Sequence, residues 1–364
     1  MESQKLLFSR SATTEVLLGN DIFKEVVARI YRIRSAKKCA VITNDVVAKW
    51  YLQPLLAELR TRGILATEII IPDGEKHKTP ETALSVVSRL CELDLSKDCP
   101  IISLGGGVVG DISGFVASIF KRGVPFVQIP TSLLAMVDAC IGGKTAVNLE
   151  QGKNLIGTIY QPALTAIDVS VLRTLPLTQL SYGMIEAIKH GAIADSAYLR
   201  FILKNAEEIK TRQPNLMQRL IRRSIHIKKS IVLEDELDQG VRNQLNLGHT
   251  FGHALESAGK YIRLHHGEAV GLGMLMALRA SASAGTLEED YSEILLQLLK
   301  DFNLPQKVPE ELEKKEIINT ISQDKKKSQD GYTFILPVKL GKVIMHKVPA
   351  ERLHDFLVDS MKNI

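Results

Sequence analysis

Cysteine is scarce in this chain and unpaired in pattern. Cys39, Cys91, Cys99 and Cys140 form no CxxC pair and no even framework. That excludes a disulfide scaffold and predicts buried, reduced thiols in a cytoplasmic protein. The opening "MESQKLLFSRSATTEVLLG" lacks a basic start followed by a sustained apolar region, so no secretory signal is expected. No apolar run approaches the ~18 to 20 residues that span a bilayer, which excludes membrane helices. There is no internal repeat and no HExxH metalloprotease motif. The charged runs "ELEKKE" and "DKKKSQD" are too short to be disordered tails. A formal net charge of +5 is mild for 364 residues. It points away from a nucleic-acid partner and leaves room for a local basic pocket that takes anionic substrates.

What is present is an ordinary globular composition, 45% apolar and 24% charged, in a chain long enough for two domains. The first half alternates strands and helices. "CAVIT" (39–43), "ATEIIIP" ending at Pro72, "PIISLGGG", "PFVQIP" and "ALTAID" (163–168) read as five strands. Helical periodicity covers about 45–62. A further helix begins with Thr79 as N-cap and Pro80 at its first position. Such alternation predicts a parallel sheet covered on both faces. From about Leu175 the pattern turns helical, with helices expected near 177–194, 197–210, 215–233, 245–260, 268–284 and 292–302, then two short strands in "GYTFILP" and "KVIMHKV". The expected fold is therefore an α/β N-terminal, Rossmann-like domain over residues 1–174 and a mostly α-helical C-terminal domain over 175–364.

"SLGGGVVGD" leaves the third strand and opens a helix, and Gly105, Gly107 and Gly110 satisfy G-x-G-x-x-G. Two readings are open: a tight strand-to-helix turn, or a backbone cradle for a pyrophosphate. The turn follows the third strand rather than the first, and no acidic residue ends the next strand. Polar clusters also end the neighbouring strands, at Thr43–Asp45, Pro72–Lys78 and Pro130–Ser132. Ligands of open α/β sheets bind beyond the carboxyl ends of the strands, so the clusters together favour a nucleotide site.

"NLGHTFGHALES" puts His249 and His253 four residues apart, on one face of a helix. "RLHHGEAVGLG" adds His265 and His266, and "YGMIEAIKHG" sets Glu186 in an apolar helix beside Lys189 and His190. An unpaired buried carboxylate is costly, so Glu186 needs a partner. Two histidines and a carboxylate form a common catalytic zinc set. The spacing leaves open which histidines serve, and leaves open the alternative of satisfied histidines in a packed helix. Cations gather near these motifs at Arg122, Lys144, Lys153, Lys228, Lys229, Arg242 and Lys325 to Lys327, with Asn154 and Asn246 beside them. Several adjoin glycines or polar turns, where Lys and Arg converge on phosphate or carboxylate. Nucleotide, metal and basic pocket together point to redox chemistry on a small phosphorylated acid.

Six segments resemble one family. "GGGVVGDISGF", "QIPTSLLAMVDACIGGKTAVN", "GKNLIGTIYQP", "IEAIKHG", "RNQLNLGHTFGHALE" and "HHGEAV" follow the order and spacing of 3-dehydroquinate synthases, and the resemblance runs from about residue 40 to 335. It implies conversion of 3-deoxy-D-arabino-heptulosonate 7-phosphate to 3-dehydroquinate and phosphate, in the shikimate pathway. The implied cofactors are NAD, which takes a hydride and later returns it, and a divalent metal, zinc or cobalt. Residue by residue, the resemblance implies Glu186, His249 and His266 as metal ligands and His253 as an acid–base residue. Asp138 and Lys189 would meet substrate hydroxyls, and Lys228 and Arg242 the carboxylate, with Asn246 in the same catalytic set. Lys144, Asn154 and Lys326 would bind phosphate, and Arg122 would reach a neighbouring subunit's site, which implies a homodimer. NAD would touch Asn44 or Asp45, Asp73, Glu75, Lys78, Gly107, Val108, Val109, Gly110, Asp111, Thr131, Ser132, Lys144, Lys153 and Thr174.

The chain departs from the family pattern in places. Ser132 replaces a threonine, "DACIGG" replaces "DSSVGG", His190 stands where a tyrosine is usual, and Asp238 where a glutamate is. Other sugar phosphate cyclases, such as 2-deoxy-scyllo-inosose synthases, take substrates without a carboxylate, so Lys228 with Arg242 favours the acid. A metal-dependent polyol dehydrogenase would release NADH.

Overall fold

The computed structural model describes residues 13–34, 36–260, 262–323, 327–328 and 331–362. The chain forms two compact units, residues 1–131 with 142–168, and residues 132–141 with 169–364. The second unit thus includes a segment taken from within the first half of the sequence.

In the first unit, β1 (Glu15–Gly19), β2 (Lys38–Asn44), β3 (Leu65–Ile71), β4 (Ile101–Gly105), β5 (Phe126–Pro130) and β8 (Leu164–Asp168) make one sheet in the order β1-β8-β5-β4-β2-β3. Every pairing in it is parallel. Alternation along β2 shows why both faces are covered. Ala40 and Ile42 pack under α3 (Pro80–Glu92) and α4 (Gly107–Ile119), through Val86, Leu90, Ile112 and Val116. Cys39 and Val41 pack on the other face against Ile30 of α1 (Phe23–Arg32) and Leu55 of α2 (Gln53–Thr61). Thr79 caps α3 as expected, its hydroxyl accepting from Thr82 N at 3.3 Å. The expected helix over 45–62 is instead a short α turn, a π segment over Ala48–Leu52, and α2.

Strand order locates the ligand edge. After β2 the chain adds β3 on one side, then crosses back to lay β4 on the other. The order reverses between β2 and β4, and such a switch point opens a crevice at the carboxyl ends of its two strands. Those ends carry Asn44 and the Gly105–Gly107 turn. The glycine turn expected after a third strand follows β4, because β1 precedes the strands read from the sequence, and it lies where a sheet of this order puts it.

A hairpin of β6 (Lys144–Leu149) and β7 (Gly152–Ile159) completes the first unit. It and β1 escape the sequence pattern. β1 is a five-residue edge strand that pairs only with β8, far along the chain.

The second unit contains α5 (Leu177–Ala194), α6 (Ser196–Lys204), α7 (Pro214–Glu234), α8 (His249–Ala258), α9 (His266–Ser283), α10 (Ser292–Asp301), α11 (Lys314–Gln323) and α12 (Leu353–Ser360). Strands β9 (Lys327–Ser328), β10 (Gly331–Lys339) and β11 (Lys342–Val348) form its antiparallel sheet. The helix expected from residue 245 starts later. Gly248 has φ +78, and a Cβ there would lie 2.9 Å from Val270 O, so only glycine makes this turn and the helix begins at His249. Helix α5 is buried nearly all round, Glu186, Lys189 and His190 included.

All four cysteines are free. Cys39 and Cys140 are buried as expected, and burial pushes both thiols up to about 12. Cys91 is exposed, contrary to expectation, because it falls on the outer face of α3. Among the described residues no helix is long and apolar enough to cross a membrane.

Candidate active site

Glu186 sits in the middle of α5, 1% exposed, and neither carboxylate oxygen makes a hydrogen bond among the described residues. Its ion-pair partner is Lys189 Nζ, one helical turn on. Two imidazoles face the same oxygen. His249 Nε2 is 3.7 Å and His266 Nε2 3.9 Å from Glu186 Oε1. The ligand atoms of these three residues all lie within 4.8 Å of one another. Both rings are aimed by their other nitrogen, His249 Nδ1 lying 3.2 Å from Leu247 O and His266 Nδ1 3.2 Å from Glu256 Oε2. Burial, with the charge of Lys189 and the neighbouring histidines, holds His249 well below its usual range, so its imidazole is neutral and able to ligate. A buried carboxylate oxygen without a hydrogen bond, facing two imidazole nitrogens, fits a divalent cation with an open position.

His265 and His266 have different surroundings. His265 is the N-cap of α9, forms a capping box with Glu268, and packs against Tyr182 with ring centroids 5.0 Å apart and planes tilted by 32°. His266 is the first helical residue and turns toward Glu186. His253 is exposed on α8, its ring 5.5 Å from that of His249 and 6.1 Å from that of His266. Two further groups have metal-like spacing, His253–Glu256–His266 and Asp138–Glu186–His190. The latter shares Glu186 with the first cluster, and its other carboxylate, Asp138, is held by Lys228 at 2.8 Å.

Asp138 lies in a π-helical turn over Ala135–Ala139, which Ser132 caps by accepting from Ala135 N at 3.3 Å. Lys228 Nζ is 2.8 Å from Asp138 Oδ1 and donates to its carbonyl at 2.5 Å. Burial pushes the Asp138 carboxyl up, but Lys228 and Lys189 outweigh it and hold the group ionised, well below its usual range. His190, fully buried, points Nε2 at Asp138 Oδ1 from 3.6 Å, and burial lowers it into the neutral form. Arg242 is buried too, its guanidinium donating to Glu236 O at 2.7 Å, while Asp235 accepts from the backbone N–H groups of Gln239, Gly240 and Arg242. Asn246 donates to Asn243 at 3.3 Å.

The first unit gathers another set. Lys78, 4% exposed, pairs with Asp111 at 2.5 Å and donates to Asn154 Oδ1 at 2.5 Å. Asn44 accepts from Val47 N at 2.8 Å and donates to Asp73. Thr131 is buried at the end of β5. No side chain caps the first turn of α4, and a Cβ on Gly107 would meet nothing within 4 Å, whereas one on Gly110 would strike Gln128. The two glycines thus differ in role: Gly110 permits helix–sheet packing, and Gly107 leaves the N–H edge open beside Val108 and Val109. Asn148 is missed by sequence reasoning. It donates to Glu75 at 2.8 Å, accepts from Asn154 N at 2.9 Å, and its own N–H donates to Lys78 O at 2.7 Å. Its place in "KTAVNL" carries no signal, because the partners meet only through the hairpin.

Lys144, Lys153 and Asn154 are exposed on that hairpin. Arg122 is exposed in a left-handed run, with φ +48, +64 and +109 at residues 121 to 123. Ser132 and Thr174 belong to the second unit. Lys326 lies outside the described residues.

Fold and cluster together define a class: an open parallel α/β unit with a ligand-type switch point, and in the same chain a helical unit with a metal-competent carboxylate–dihistidine cluster. The family follows from comparison. Residues 68–182 match the model of the 3-dehydroquinate synthase N-terminal region, and residues 183–327 that of the 3-dehydroquinate synthase C-terminal region. The chain belongs to the 3-dehydroquinate synthase family. It is 41% identical over 305 residues to 3-dehydroquinate synthase of Geotalea uraniireducens, covering 84% of each chain. Among solved structures it resembles 2-epi-5-epi-valiolone synthase from Streptomyces hygroscopicus with NAD+ and Zn2+ bound. The TM-score is 0.88 at 24% identity, covering 99% of this chain and 100% of that one. It also resembles a 2-deoxy-scyllo-inosose synthase complexed with carbaglucose-6-phosphate, NAD+ and Co2+, with TM-score 0.83 at 25% identity, covering 93% of this chain and 96% of that one.

Proposed function

We propose that this chain converts 3-deoxy-D-arabino-heptulosonate 7-phosphate into 3-dehydroquinate and phosphate, using NAD and a divalent cation. The observation that carries this reading is the Glu186–His249–His266 cluster beside the Lys189 and Lys228–Asp138 pairs, in a chain 41% identical to a 3-dehydroquinate synthase. Glu186, His249 and His266 would hold the cation. A cation held there would supply Lewis acidity toward a substrate hydroxyl, and NAD would supply a reversible hydride acceptor.

The chain's own residues do the rest. Ionised Asp138 accepts a hydrogen bond from a substrate hydroxyl. Lys228 has three donors and spends two contacts on Asp138, so it can also meet a carboxylate, with Arg242 as second cation. His253, exposed beside His249, moves a proton at the reacting oxygens. Asn44, Asp73, Glu75, Lys78, Thr131 and the Gly107–Asp111 turn receive the dinucleotide at the switch point. Lys144 and Asn154, exposed on the hairpin of the first unit, are candidates for the phosphate. Buried Lys228 and Arg242 also favour this reading over the carboxylate-free substrates of other cyclases.

Purified protein given the heptulosonate phosphate, NAD and Zn2+ should release inorganic phosphate without net NADH, and chelation should abolish release. No phosphate, or no effect of chelation, refutes the reading. Phosphate from a carboxylate-free sugar phosphate alone would favour another cyclase, and net NADH a dehydrogenase.

The protein is proposed to act in the cytoplasm as a homodimer. β7 is the open edge of a two-stranded hairpin and exposes Leu155, Ile156 and Ile159. Such an edge normally finds cover. Sedimentation should give twice the 40.3 kDa chain mass, and Ile156→Lys should shift it toward monomer. A monomeric wild-type protein rejects the dimer.

A further inference from the structure

We propose that Glu256 is a positioning residue for the cation: its buried carboxylate holds Nδ1 of His266, so that Nε2 is the ring nitrogen presented toward Glu186. The inference rests on the metal reading above. His266 needs such a hold. It is the first residue of α9, its side chain is 37% exposed, and its ring meets two other imidazoles, those of His249 at 5.3 Å and His253 at 6.1 Å, contacts that do not distinguish its two nitrogens. Glu256 comes from another helix, α8, with its side chain only 4% exposed, and places Oε2 3.2 Å from His266 Nδ1. A carboxylate that deep in the protein is costly unless it is bonded, and an imidazole N–H is a strong partner for it.

The two histidine ligands are therefore held by different chemistry. His249 Nδ1 meets the neutral carbonyl of Leu247, and His266 Nδ1 meets a charged carboxylate. A carboxylate on the far nitrogen fixes the tautomer and raises the electron density at Nε2, which strengthens the bond to a cation. It also places a second buried carboxylate close to the cation's ligands, beside that of Glu186. Helix α8 then serves the site three times from one face, through His249, His253 and Glu256 at positions i, i+4 and i+7.

The test uses the full chain, stripped of metal by chelation and titrated with Zn2+ and with Co2+. Glu256→Ala and Glu256→Gln should each weaken Zn2+ binding by about ten- to a hundred-fold. Glu256→Gln keeps an acceptor oxygen, so its Co2+ visible spectrum should match wild type. Glu256→Ala frees the ring and should alter that spectrum. Thermal unfolding of the metal-free forms separates folding from binding: variants that melt earlier but bind Zn2+ as wild type does would reduce Glu256 to a structural residue and overturn the proposal. If Glu256→Ala fails to fold, the Gln variant decides the affinity. Wild-type Zn2+ affinity in His249→Ala, with its loss in Glu256→Ala, would make Glu256 itself a ligand and overturn the positioning role. A wild-type chain that binds neither ion would refute the metal reading itself.

Discussion

His249→Ala is expected to lose the divalent cation and, with it, all measurable phosphate release, while His253→Ala keeps the cation and loses rate. The two histidines sit one helical turn apart with their rings 5.5 Å apart, yet their surroundings differ. His249 faces a buried carboxylate oxygen that no hydrogen bond satisfies, and burial keeps its ring neutral. Removing it leaves Glu186 and His266 as two donors, too few for a closed grip. His253 is exposed and does not face Glu186 Oε1 as the other two do. Losing a general acid–base group costs about 10² to 10⁴ in kcat. Metal content by atomic emission, measured beside kcat on both variants, reads the difference. Equal metal loss in the two would refute the division of labour.

Lys228→Met should lower kcat/KM for the heptulosonate phosphate by about a hundred- to a thousand-fold, mostly through KM, and leave Zn2+ content unchanged. Lys228 is buried, 2.8 Å from Asp138 Oδ1, and is the foremost charge holding that carboxylate ionised. Truncating one member of a buried, hydrogen-bonded charge pair costs about 2 to 5 kcal/mol, because the other charge is left without compensation. Here a substrate carboxylate would lose its cation as well. Methionine preserves the length and the apolar stem, so packing in α7 should survive. A variant within three-fold of wild-type kcat/KM would remove Lys228 from the site.

The broad plan of this protein is legible in its residue pattern. Strand–helix alternation announced a parallel sheet, because each buried strand must be covered on both faces, and Ala40/Ile42 against Cys39/Val41 do this. The mostly apolar setting of Glu186 showed that its carboxylate needs a partner, because an unpaired buried carboxylate is costly. The long motifs identified the family. Periodicity failed where a break depends on distant backbone: nothing within "NQLNLGHTF" shows that Val270 O crowds Gly248 and delays the helix to His249. Nor could β1 be seen, since its pairing partner lies in residues 164–168.

Which polar groups meet is visible only in the folded chain. His265 and His266 are neighbours in sequence with the same side chain. One caps a helix against Tyr182, and the other reaches Glu186, because successive residues at a helix start point in different directions. Glu256 and Asn148 meet their partners only when other elements are brought to their carboxylate and amide. Local patterns report which face of an element is buried. Whether two faces meet at bonding distance depends on how whole helices and strands pack, and that is settled only in the folded chain.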